Sequence, residues 1–162
     1  ILAANAQLIH AQANTRLNSI MLQFHGEETA TLKNVNRKRS PGEAFRMRSQ
    51  IGELTYPDFA VSGLNEFYYR LVMATGAGHS AAHAPSIKST DMAGDAFIAI
   101  QDFEACPHQA AGTGQNTFNS QLSLQLEGIA GGGAGTGITG CLLTSYHDVV
   151  MEISQAGVTV AV

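Results

Sequence analysis

The strongest constraint on this chain is a periodicity. Apolar and polar residues alternate along short stretches, while no stretch keeps an i, i+3, i+4, i+7 apolar stripe for three turns. Ile20, Leu22 and Phe24 share one face of Asn18–His25, with Gln23 and His25 on the other, as a half-buried strand requires. Ala44–Ile51 sets Phe45, Met47 and Ser49 against Arg46, Arg48 and Gln50, so its charged face must be solvated or at an interface. Phe118–Leu126 sets Leu122, Leu124 and Leu126 against Ser123 and Gln125. Phe67–Ala74 and Ala96–Phe103 are apolar on both faces and read as strands covered on both sides. Cys141–Ile153 reads as one long apolar strand, and Val158–Val162 as a short terminal one. Asn34–Gly42, Gly76–Asp95, Cys106–Gln115 and the glycine tract Gly128–Gly140 are turn-rich connections. The pattern predicts an all-β, eight-stranded antiparallel jelly-roll sandwich with almost no helix.

At 162 residues the chain is the length of one domain and can bury a core without staples. We read it as a single jelly-roll domain over 1–162, with 1–14 a linker or arm. Charged residues are only 14% of the chain, against a usual figure of about 25%, so much of the surface must be uncharged or covered. No apolar run is long enough to span a bilayer as a helix. The chain begins at Ile1 without an initiator Met, as a fragment or a processed product would. Residues 1–88 hold all nine Lys and Arg against six acids, and 89–162 hold seven acids and no base. Such asymmetry can mark a basic arm for an anionic partner, or vanish when strands from both halves interleave.

The constellations that suggest chemistry each meet a plainer reading. Gly135-Thr136-Gly137-Ile138-Thr139-Gly140 matches the dinucleotide-binding GxGxxG, but the residues that follow read as strand and leave no room for a βαβ unit, so a loop without nucleotide is expected. His79 and His83 are spaced as zinc ligands on a helix would be, yet sit in a glycine-rich loop without the Glu of a metalloprotease. Cys106 and His108 lack an orienting acid, and the pairs Asp102 with Glu104 and Glu27 with Glu28 are tied to no cleft. Cys106 and Cys141 are 35 residues apart and offer no CxxC knuckle. Lys33, Arg37, Lys38, Arg39, Arg46 and Arg48 form the densest charge feature, read as a solvated loop or a contact with an acidic neighbouring subunit. Catalytic, cofactor-binding and metal residues are therefore expected to be none, and no enzyme is inferred.

Three segments, in order, resemble the double jelly-roll major capsid proteins of large eukaryotic DNA viruses, virophages and related tailless viruses. Ser62–Val72, with Leu64-Asn65-Glu66-Phe67-Tyr68-Tyr69-Arg70-Leu71-Val72, is similar to a stretch of the second jelly roll that runs into a strand. Phe97–Phe103, then Pro107-His108-Gln109-Ala110-Ala111-Gly112-Thr113 and Asn116-Thr117-Phe118-Asn119, resembles the family's strand and following turn. Ser145–Ile153 with Ser154–Val162 resembles its closing strands. Each position also has a local reading: Gly112 and Gly114 permit positive φ at a strand entry, and Thr113, Asn116 and Asn119 can bond turn backbone.

The resemblance implies the C-terminal jelly roll of a longer capsid protein. It also implies pseudo-hexagonal trimers formed with a companion jelly roll, tiling an icosahedral shell. Neighbouring capsomers and minor capsid proteins would be its partners, with no specific nucleic acid and no cofactor. The place would be the virion, assembled inside the host cell. The alternative is a secreted trimeric jelly-roll ligand-binding module, similar in outline to complement-like and tumour-necrosis-like domains. A cupin-type enzyme would need a metal-binding His cluster on adjacent strands, and His10, His25, His79, His83, His108 and His147 are scattered.

Overall fold

The computed structural model describes residues 4–11, 16–26, 39–77, 81–83, 85–104, 114–130, 138–148, 150–154 and 157–161. Among them lie nine strands and one α-helix: β1 (Ala6–His10), β2 (Leu17–Gly26), β3 (Arg46–Ile51), β4 (Leu54–Ser62), α1 (Leu64–Ala74), β5 (Ala99–Asp102), β6 (Leu122–Glu127), β7 (Ile138–His147), β8 (Val150–Ser154) and β9 (Gly157–Ala161). Two short 3-10 turns, Ala81–His83 and Ser89–Ala93, occupy the connection after α1.

Seven strands make two antiparallel sheets packed as a sandwich, one in the order β1-β6-β3-β4 and the other β5-β2-β7. The pairings nest: β1 with β6, β2 with β5, β3 with β4. β6 also pairs with β3, and β7 with the free side of β2. β8 and β9 pair only with each other and add to neither sheet.

The alternation in the sequence sets which residues meet inside. Ile20, Leu22 and Phe24 of β2, Met47 and Ile51 of β3, and Leu122, Leu124 and Leu126 of β6 are all buried. Ser49 faces the same interior, and its hydroxyl is satisfied by donating to the Tyr56 carbonyl at 2.6 Å. Phe24, Phe45, Phe67 and Phe97 form the centre, with ring centroids 5.1 to 6.1 Å apart in mostly edge-to-face contacts.

Three expectations need correction. Phe67–Ala74 is helix, not strand. Contrary to the expectation that no three-turn apolar stripe exists, Leu64, Phe67, Tyr68, Leu71 and Ala74 form one at i, i+3, i+4, i+7 and i+10, and all five are buried or packed against the core. Exposed Tyr69 gives the segment an aromatic outer side, which mimics a two-faced strand. Gly63, at φ 83°, lets the chain leave β4 and enter the helix, and the Thr75 hydroxyl donates to the Leu71 carbonyl at its end.

Cys141–Ile153 is not one strand but parts of β7 and β8. Asp148 breaks it: its N–H donates to the Arg16 carbonyl at 3.1 Å, and its carboxylate accepts from the Asn18 amide at 2.9 Å. Among the described residues the strands number nine, of which seven build the sandwich, rather than the expected eight.

Smaller differences follow the same logic. Ile138–Gly140, expected at the end of a loop, begins β7. Ala6–His10, within the stretch read as linker or arm, is an edge strand. Gly114 does not adopt positive φ. A Cβ there would lie 2.7 Å from the Leu17 carbonyl oxygen, so its role is close approach to the start of β2.

Candidate interaction surfaces

The outer face of the four-stranded sheet is polar. Register places Arg46 beside Glu127, Arg48 between Gln125 and the bulged part of β4, and Gln50 beside Ser123, with Gln7 beside Gln125 at the far side. Arg46, Arg48, Ala60, Gln125 and Glu127 line a depression of about 140 Å³. The expected basic cluster does not form one patch among the described residues. Arg46 and Arg48 lie on this sheet, whereas the Arg39 N–H donates to the Phe24 carbonyl of β2 and its guanidinium meets Asp95 at 3.3 Å. Lys33, Arg37 and Lys38 lie outside the described residues.

The outer face of the three-stranded sheet is different. Ser19 stands between Asp102 and Tyr146, Met21 between Ile100 and Thr144, and Gln23 beside Leu142. Leu142 is 57% exposed and Tyr146 49% exposed. α1 overhangs the β5 side, so that Leu71, Ala74 and Thr75 wall a groove of about 310 Å³ whose floor includes Met21, Ile100 and Asp102. Past Ala74 and Asp102 the groove is followed by a second of about 460 Å³, lined by Glu66, Tyr69, Arg70 and Met73. There the Arg70 guanidinium donates twice to one Glu66 oxygen, at 3.2 and 3.0 Å. That pair offsets its own charge, and Asp102 and Glu104 are the other carboxylates that line the two grooves. Asp102 also accepts the Glu104 N–H at 2.9 Å, a local turn contact.

Further exposed apolar residues gather at one end of the four-stranded sheet. Ile9 and Leu54 sit where β1 ends and β4 begins, and Phe118 precedes β6 nearby. Phe59, 85% exposed, stands in a bulge where Pro57, Asp58, Phe59 and Ala60 oppose Arg48.

The residues first singled out for chemistry are not brought together. His10 is in the four-stranded sheet, while His25 and His147 occupy opposite ends of the β2–β7 ladder. His83 is in a 3-10 turn. His79, Cys106, His108, Glu27, Glu28, Gly112, Thr113, Gly135 and Gly137 lie outside the described residues. Among the described residues no group of three His, Cys, Asp or Glu is arranged to hold a metal ion. Burial pushes the half-buried Cys141 thiol above its ordinary range, which disfavours the nucleophilic thiolate. Asn116 does bond turn backbone, accepting the Phe118 N–H at 2.8 Å.

The groove was not visible in the sequence, because its residues come from β2, α1, β5 and β7 without any motif. The one available signal was the spacing of Glu66 with Arg70 and Phe67 with Leu71, which marks a helix. No family model, curated protein or solved structure matches the chain.

Proposed function

We propose that this chain is a structural jelly-roll domain that associates with further copies and a companion jelly roll to build a viral capsid. The observation that carries the reading is the nested pairing of first with sixth, second with fifth and third with fourth strands. A long antiparallel ribbon rolled onto itself gives that order, and a jelly roll is such a ribbon. The sequence resemblance over residues 60–162 supports the same reading, with one departure: the segment at Phe67–Ala74 is helical here. The surface agrees with a role in assembly. A low charged fraction suits a domain whose flanks are covered by neighbours, since the buried centres of obligate interfaces are depleted in charge. On this reading the domain is non-enzymatic and works in the virion.

Electron microscopy of assemblies grown from the purified chain, alone and with the product of its upstream coding region, tests the proposal. Three-fold capsomers that tile into sheets or shells are expected. Dispersed monomers that instead bind a soluble ligand saturably would reject it in favour of a freestanding binding module.

A further inference from the structure

A sheet edge offers a row of unpaired N–H and C=O groups, and β proteins protect such edges with bulges, Pro, charge, short length or a covering element. Three of the four edges here are protected. β4 carries Pro57 and Asp58 in its bulge, β5 has α1 packed along it, and β1 is only five residues long. β7 is the exception. Its ten residues, Ile138–His147, contain no Pro and no Asp, Glu, Lys or Arg, and among the described residues no strand pairs with its outer side.

The same molecule holds a ribbon without a sheet. β8 and β9 pair in register from Val150 with Ala161 to Ser154 with Gly157. That register places Met151, Ile153, Val158 and Val160 on one face, and Val150, Glu152, Ser154, Gly157, Thr159 and Ala161 on the other. A lone two-stranded ribbon is marginal in water, and among the described residues no strand of either sheet pairs with it. Folding back onto its own β7 would need a turn at Asp148. That residue is instead committed to β2 through the Arg16 carbonyl and the Asn18 amide.

We infer that the β8–β9 ribbon of one copy adds to the outer edge of β7 in a second copy, extending the β5-β2-β7 sheet across the contact. Glu152 is the single charge in the two pieces, so no like-charge pair opposes the join. The contact joins two different surfaces, so it is satisfied either by reciprocal exchange in a two-fold dimer or by repetition around a ring or along a chain. It concerns how copies join and stands whether or not they build a shell.

The test is residue-resolved hydrogen exchange on the full chain across a dilution series, read with sedimentation. The β7 amides that point away from β2 should be protected when copies associate and should exchange freely once diluted to monomer. Leu142→Lys, at an exposed site, and a chain shortened after Asp148 should each weaken association by at least about tenfold. Both should keep the protection of the β2 and β6 amides, which reports that the sandwich is intact. Protection of β7 in the monomer, lost only on shortening, would mean that the ribbon closes on its own β7 and would overturn the inference. So would unprotected β7 amides in the associated protein, or undiminished association of the shortened chain.

Discussion

The two sheets of the sandwich share one interior but present opposite exteriors. The four-stranded sheet shows Arg46, Arg48, Gln50, Gln125 and Glu127 to its surroundings, and its β4 edge is broken by a bulge. The three-stranded sheet shows Met21, Leu142, Thr144 and Tyr146 beside a groove lined by Asp102 and Glu104, and ends on β7, with whose outer side no strand pairs among the described residues. The four-stranded sheet also exposes Ile9, Leu54 and Phe59, so the two exteriors differ in charge and in their edges rather than in apolar exposure. Among the described residues no strand pairs with the outer side of β7, and on our proposal a second copy does so. Both sheets supply the core, and on our proposal the β5-β2-β7 sheet also carries the contact between copies.

Phe45→Ala would break the comparison most severely, because Phe45 contacts Phe24 of one sheet and Phe67 and Phe97 beside it at 5.1 to 5.7 Å. Removing the ring should cost about 3–5 kcal/mol, and urea unfolding should stay a single transition seen equally by probes on both sheets. Two separated transitions would show that the sheets are not one cooperative unit. Next, Gly114→Ala forces a methyl against the Leu17 carbonyl at the start of β2. We expect a loss of about 1–3 kcal/mol in the same measurement.

The contrast between exteriors is sharpened by a matched pair. Tyr146→Ala on the three-stranded sheet should weaken self-association by at least about tenfold in sedimentation, whereas Arg46→Gln on the other should leave it unchanged. Arg46→Gln should also shift stability by no more than about 0.5 kcal/mol, since Arg46 is exposed. Equal effects from the two would erase the distinction.

Glu66→Gln removes the helical pair with Arg70 and should cost only about 0.3–0.5 kcal/mol, as the pair is partly exposed. The smallest effect involves pH. The Cys141 thiol holds its proton more tightly folded than unfolded, so its contribution is present below the unfolded thiol value of about 8.5 and declines as pH rises above it. Carbamidomethylation of Cys141 at pH 8, followed by peptide mass, should be slower in the folded chain than in urea.

What was legible in the sequence was what a period of two can encode. β2, β3 and β6 have one buried and one polar side, so Ile20, Met47 and Leu124 were assigned to the interior correctly. β4 escaped because Pro57 and Asp58 interrupt its alternation at the bulge, and β1 because none of its five residues is fully buried. The helix was hidden by its own exposed aromatic, Tyr69, and the end of β7 by bonds from Asp148 to residues some 130 positions earlier in the chain. The groove and the open edge depend on which strands become neighbours, and alternation along one strand carries no information about that.

Sedimentation velocity of the full 17.1 kDa chain, from micromolar to tens of micromolar, tests the central claim most directly. Concentration-dependent growth into an oligomer, a trimer on the capsid reading, is expected, with association of the shortened chain at least about tenfold weaker. A cooperatively folded monomer that persists across the whole range would contradict it.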